Sequence, residues 1–208
     1  MARPTLTSKQ IEDARAKIRS AAFDLFAEHG YRGVTVRALA ERLGWSHAKP
    51  YRYYTSKQEI FEALEDELFD KFGHRLRLAA SLASSPLQRI HAMGIAYVSF
   101  AIEEPNAHKL LFRVPLDGRS DRGARKTWTD AWSPILDAVT EATDRGDLEG
   151  DPVTVAHVFW VAVNGLVSLH LAGRLVLGRS LEQILEPMLD QLIRGALPSR
   201  TGRRSQTL

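Results

Sequence analysis

"TVRALAERLGWSHAKPYRYY", residues 35–54, reads as two short helices joined by a glycine turn, with a proline placed inside the second. Thr35 is an N-cap type, and Val36, Leu39, Ala40 and Leu43 come after it at i, i+3, i+4 and i+7, the spacing of one buried helical stripe. Gly44 supplies a stop, and Ser46 can cap the second helix. With Ser46 as the cap, Pro50 is the fourth helical residue and only its missing N–H to the Ser46 carbonyl is lost; with His47 as the cap, nothing is lost. Proline also disfavours helical geometry at Lys49, so a short helix with a looser, 3₁₀-like first turn is expected, with Tyr51 and Tyr53 following from regular helix.

Outward from this stretch the chain reads as all-α. Alternating β-branched runs bounded by Asn-Gly or Asp-Gly turns are missing, whereas helix punctuation recurs. Thr7 with Gln10 forms a capping-box pattern, and Ile11, Ala14, Ile18, Ala21, Ala22, Leu25 and Phe26 carry a first helix to a stop at Gly30. Ser56 with Glu59 repeats the box and opens a long helix through Ile60, Phe61, Leu64, Leu68, Phe69 and Phe72. Ser85-Pro86, Asp151-Pro152 and Ser180 with Gln183 open helices near 86–104, 152–177 and 181–197. A shorter helix near 106–113 and another through Trp128, Trp132, Ile135 and Val139 bring the expected number to about nine. Pro105, Pro115 and the polar "PLDGRSDRG" (115–123) mark breaks, and the Ser/Arg/Gly/Thr tail after Pro198 is expected to fray.

Charge divides the chain. Residues 1–60 hold eleven Lys and Arg against six Asp and Glu, a net of +5, while the remainder nets −2. A basic head on a near-neutral body suggests polyanion binding by the head, although a solvated charged surface gives the same count. Two helices joined by a tight glycine turn can seat the second helix in the major groove, and Arg37, Lys49, Arg52 and Lys57 fall on or beside that pair, as phosphate contact requires.

Residues 21–67, "AAFDLFAEHGYRGVTVRALAERLGWSHAKPYRYYTSKQEIFEALEDE", resemble the N-terminal domain of TetR/AcrR-type transcriptional regulators. Phe26, Gly30-Tyr31, Thr35-Val36, Leu39-Ala40, Gly44, Ser46, Tyr51-Arg52-Tyr53-Tyr54 and Ser56-Lys57 fit its pattern in order. The resemblance implies an all-helical repressor, dimeric through its last two helices, whose C-terminal domain binds a small ligand that releases DNA. It places Thr35 and Arg37 against phosphate or a base edge, and Ser46, His47, Lys49, Tyr51 and Arg52 in the recognition helix. Tyr53 and Lys57 would bind the DNA backbone. Tyr54 and Trp45 read as core. His47 and Lys49 depart from the Gly- or Thr-bearing versions of this site, so no operator sequence carries over.

"FWVAVNGLVSLHLAGRLVLGRSLEQIL" (159–185) resembles the C-terminal domain of a subgroup marked by Trp, His-Gly and a Leu-Ala-Gly-Arg run: Trp160, Gly165 and Leu171-Ala172-Gly173-Arg174 match, while Asn164 stands in the His position. The surrounding stretch, 155–178, is long enough to span a bilayer, but His157, Asn164, His170 and Arg174 argue instead for a helix covered on several sides. Ala162, Gly165, Ser168 and Ala172 permit close approach. Together with Leu181, Ile184, Leu185, Met188, Leu189 and Leu192 they suggest a homodimer through the helices near 152–177 and 181–197. Phe100, His108, Phe112, Trp128, Trp132, Trp160 and Asn164 are the candidates for a cavity that holds an unknown small-molecule effector, ordinary core packing being the alternative for each aromatic.

Other functions find little support. The chain has no cysteine, so disulfides and thiolate metal sites are ruled out, and the seven histidines form no HExxH or other close metal-ligand pair. Carboxylates pair only on charged faces (Glu103-Glu104, Glu65 to Glu67), and no Ser/His/Asp spacing or glycine-rich phosphate loop is visible. No enzyme, metal or cofactor is therefore expected. A non-specific DNA-compacting protein would share the basic head but not so large an aromatic body. Residues 1–20 are polar and charged, without a secretory pattern, and a cytoplasmic protein is expected. The expected organisation is a helix-turn-helix domain over 1–58, a helical ligand-binding and dimerisation domain over 59–198, and a flexible tail over 199–208.

Overall fold

Local capping chemistry starts most of the helices. In the computed structural model, which describes residues 7–112 and 123–198, the Thr7 hydroxyl accepts from the Gln10 N–H (3.2 Å) and the Gln10 side chain accepts from the Thr7 N–H (2.9 Å), opening α1, Ser8–Gly33. Two donors with no helical partner are thereby satisfied at once. Gly30, at φ +68°, breaks the helical path of α1 near its end, a conformation that costs glycine nothing. The Thr35 hydroxyl accepts from the Ala38 N–H (3.1 Å) to open α2, Val36–Arg42, and Gly44 at φ +64° turns the chain after it.

Beyond a 3₁₀ turn at Pro50–Arg52 come α3 (Lys57–Ser81), α4 (Pro86–Glu103) and α5 (Pro105–Phe112). They are followed by α6 (Gly123–Asp144), α7 (Pro152–Leu171) and α8 (Leu181–Gly195). The capping boxes Ser85/Gln88 and Ser180/Gln183 are both formed, and the Asp151 carboxylate accepts from the Thr154 N–H. Eight α-helices and one 3₁₀ turn thus stand among the described residues, against about nine helices expected. The expected break at 115–123, all but its last residue, and the tail after Pro198 lie outside the described residues.

Three local readings are corrected. The helix expected over 152–177 ends at Leu171: Ala172, Gly173 and Arg174 return their N–H groups to Ser168, His170 and Leu169, with Gly173 at φ +64°. The run of apolar residues continues past this point, but a left-handed glycine closes the helix. At Ser56 only half of the expected box forms. The Ser56 hydroxyl accepts from the Glu59 N–H, but the Glu59 carboxylate turns to Thr55, whose N–H and hydroxyl both donate to it. Two donors to one carboxylate hold Glu59 below its ordinary pKa of 4.5. The third correction, at Pro50, belongs to the site.

The chain divides into two compact units. One comprises residues up to Asp70 with Asn106–Thr127, the other Lys71–Pro105 with residues from Trp128 onward. In the first, Ile18, Ala22 and Phe26 form a fully buried stripe on α1, with Leu39, Ala40, Ile60 and Phe61 also buried. Phe26 meets Phe61 edge-on at 5.0 Å. In the second, Phe72 is fully buried between Tyr97, Phe100 and Trp132, with ring centroids 5.2–5.5 Å away. At Gly94 a Cβ would stand 2.7 Å from a terminal methyl of Leu189, so α4 and α8 pack closely there and a side chain would require Leu189 to shift.

Candidate functional site

Pro50 decides the geometry of residues 46–54, and it corrects the expected recognition helix. Proline has no N–H to give the Ser46 carbonyl, and the Lys49 N–H takes that acceptor instead, three residues on, at 2.9 Å. Arg52 and Tyr53 likewise donate to Lys49 and Pro50 at 3.2 and 2.9 Å. The i+3 pattern propagates as a 3₁₀ turn, and no α-helix forms here. Lys49 itself keeps right-handed helical angles (φ −68°, ψ −40°), contrary to the expectation for a residue before proline. Tyr51 and Tyr53 therefore leave from a 3₁₀ turn and its C-cap, not from regular helix.

So short a segment has little internal support, and cations from neighbouring helices brace it. Arg15 Nε donates to the Tyr53 carbonyl (3.2 Å), and its guanidinium lies 5.3 Å from the Tyr54 ring centroid. Arg19 donates to the Tyr54 hydroxyl (3.1 Å), to Glu67 (2.6 Å) and to Glu12 (2.9 Å). Partial burial opposes its charge, but these hydrogen bonds outweigh burial and raise its pKa. Lys57 Nζ donates to the carbonyls of Tyr31 and Val34, both at 2.9 Å, and sits 4.3 Å over the Tyr31 ring. Burial pushes the Lys57 pKa down.

Several residues expected at DNA are exposed together: Thr35, Arg37, Ser46, His47, Tyr51 and Arg52. Lys49, half-buried, stacks its ammonium 3.9 Å from the Trp45 ring. Arg37 and His47 meet on one oxygen of Glu41, at 3.0 and 3.4 Å. The hydrogen bond from Arg37, reinforced by the nearby charges of Arg37 and His47, keeps Glu41 below the ordinary glutamate pKa. Two expected residues point elsewhere. Tyr53 is buried against Trp45, with centroids 5.9 Å apart, and Lys57 spends two donors on carbonyls of its own domain. Tyr54 is buried, in keeping with its pattern. Glu41, Arg15 and Arg19 were not singled out by sequence; Glu41 stands four residues after Arg37, an ion-pair spacing that could have found it.

The aromatic residues of the body separate into two groups. Trp128, Trp132 and Trp160 lie with ring centroids 5.0–6.0 Å apart and wall a cleft of about 220 Å³ between α6 and α7. Phe100, by contrast, is fully buried against Phe72, and His108 packs on Phe112 at 4.9 Å in the other compact unit. None of these three lines the cleft. The cleft does not include Asn164 either, whose Oδ1 accepts from the Tyr97 hydroxyl at 3.0 Å.

On α7 an apolar stripe faces outward. Val158, Val161 and Leu169 are exposed, Val161 to 65%, and α7 is by length and composition apolar enough to cross a membrane. Val161, Gly165 and Leu169 border a depression of about 390 Å³ with Val176, Ile184 and Met188. A Cβ at Gly165 would meet nothing within 4 Å among the described residues, so this glycine answers no contact with them.

Comparison with known proteins identifies the family. Residues 18–64 match the family model for bacterial regulatory proteins of the tetR family, and residues 90–192 match the tetracyclin repressor-like C-terminal domain. The HTH-type transcriptional repressor AcnR of Corynebacterium diphtheriae is 27% identical over 205 residues, covering 94% of this chain and 100% of that protein. The HTH-type transcriptional repressor KstR2 of Mycolicibacterium smegmatis is 25% identical, covering 89% and 97%. A TetR family transcription regulator from Marinobacter aquaeolei VT8 superposes with a TM-score of 0.77 at 16% identity over 93% of this chain and all of that one, a likeness of fold. The chain belongs to the TetR family of transcriptional regulators. It is a DNA-binding regulator, and its relatives are regulators rather than enzymes.

Proposed function

We propose that the chain is a homodimeric repressor that binds a palindromic operator through Thr35, Arg37, Ser46, His47, Lys49, Tyr51 and Arg52, and that a small-molecule effector releases it. The observation that carries this reading is the exposed cluster around the Pro50 turn within a segment that matches the family's DNA-binding model. Arg37 and Arg52 have the forked guanidinium suited to guanine edges or phosphate, and the Thr35, Ser46 and Tyr51 hydroxyls can donate to phosphate. Tyr53 and Lys57 act behind this surface by holding its shape. Repression is supported by the two full-length relatives, both of them named as repressors. Pairing of the exposed α7 stripe with a second copy, with α8 alongside, would cover Val158, Val161 and Leu169 and present two reading heads to a two-fold symmetric site. The three-tryptophan cleft is the place proposed for the effector.

Competition binding tests the reading: a selected palindrome should be preferred over bulk DNA by about a thousandfold or more. Equal affinity for both would mark a protein that coats DNA without reading it. Two substitutions separate surface from support. Arg52→Ala is expected to weaken binding and to flatten the dependence of log affinity on log salt by about one unit. Lys57→Met is expected to leave that slope nearly unchanged and to lower stability by about 1.5–3 kcal/mol, because two carbonyls lose a charged donor. A slope flattened by Lys57→Met as much as by Arg52→Ala would return Lys57 to the phosphate-binding surface.

A further inference from the structure

Two polar side chains on the cleft wall have already committed their protons. Ser133 lines the cleft, and its hydroxyl donates to the Asp130 carbonyl at 3.2 Å. His157 also lines it, with Nδ1 at 2.7 Å from the Val153 carbonyl. A carbonyl only accepts, so Nδ1 carries the proton, and the neutral ring's other nitrogen, Nε2, has a lone pair to offer. Ser133 Oγ, its proton spent, likewise has lone pairs left. The remaining wall is dominated by Trp128, Trp132 and Trp160, and no Lys, Arg, Asp or Glu is among the described residues that line it.

Resting on the effector reading above, we infer that the cleft takes an uncharged, hydroxyl-bearing aromatic molecule of two-ring size, its rings against the tryptophans and its hydroxyl donating to His157 Nε2. Flat apolar walls suit an aromatic body, whose faces and edges stack on indoles at little conformational cost. With no cation among the described lining residues, a carboxylate or phosphate would lose its hydration without a counter-charge from them. A purely apolar ligand would make no use of the acceptors on His157 and Ser133, two residues that line the cleft, and would cover them at a cost. A ligand with only acceptors suits the Trp160 indole N–H, which has no hydrogen-bond partner among the described residues, but offers nothing to His157 Nε2. A phenolic hydroxyl supplies the missing donor.

Calorimetric titration of the full chain at mildly alkaline pH with 2-naphthol, 2-methoxynaphthalene and 2-naphthoate tests the assignment. The first two share a shape but only 2-naphthol donates, and 2-naphthoate carries a charge. The expected result is that 2-naphthol binds about tenfold more tightly than 2-methoxynaphthalene, the worth of one net hydrogen bond, with 2-naphthoate weakest. His157→Phe should remove most of the 2-naphthol advantage while 2-methoxynaphthalene still binds, which also reports an intact cleft. Equal binding of 2-naphthol and 2-methoxynaphthalene, tightest binding of 2-naphthoate, or an undiminished advantage in His157→Phe would overturn the inference and leave the effector reading standing. No binding of any of the three would overturn both.

Discussion

Val161→Glu is expected to leave the chain monomeric and to weaken operator binding by about a hundred- to ten-thousandfold. Val161 is 65% exposed on the outward stripe of α7, beside Gly165 and Leu169, so a carboxylate is tolerated there in an isolated copy. In the proposed two-fold interface the same substitution would bury a carboxylate from each copy in a largely apolar stripe, a desolvation that Arg174 and Arg179, which border the same depression, would offset only in part. The operator loss comes from linkage: two joined heads bind the second half-site as an intramolecular event, and a monomer forfeits that effective concentration. Affinity for a single half-site should be kept. Analytical ultracentrifugation with titration on full and half operators checks both parts. A variant that stays dimeric would move the interface off this stripe.

Phe72→Ala has the largest expected effect on stability, a loss of about 3–5 kcal/mol. The ring is fully buried and meets Tyr97, Phe100 and Trp132 at centroid distances of 5.2–5.5 Å, so truncation removes apolar burial, aromatic edge contacts and the filling of a closed space. For a chain of this size that corresponds to a fall in Tm of roughly 10 °C. Trp132 shares this contact and also walls the cleft, so binding of the naphthalene probes should weaken in parallel. Thermal unfolding followed by circular dichroism measures the first effect. A loss below about 1 kcal/mol would mean that the cavity collapses around the missing ring.

Helix starts were legible because their chemistry is local. Thr7, Thr35, Ser85, Asp151 and Ser180 each act on a backbone N–H within three residues, so both partners lie side by side in the sequence. The end of α7 was not legible from apolar content, since Leu175, Val176 and Leu177 continue the run while Gly173 turns left-handed and Leu177 is left 94% exposed. At the segment proposed to face DNA, Thr35, Arg37 and Arg52 stand exposed where the pattern put them. Lys57 does not, because its partners are carbonyls 26 and 23 residues earlier, and no periodicity encodes that distance. The Pro50 turn was half legible: the missing N–H could be counted, but not that Lys49 would take the vacated Ser46 carbonyl and tighten the segment. Among the aromatics, composition could not separate Trp128, Trp132 and Trp160, which wall a cleft, from Phe100, His108 and Phe112, which fill space elsewhere.

Selection of protein-bound fragments from genomic DNA, followed by footprinting with the full-length chain, tests the central claim most directly. The account predicts recovery of a two-fold symmetric site whose half-sites are protected together, with Arg37→Ala altering base preference within each half. Recovery of no preferred sequence by a chain verified as an intact dimer would contradict it.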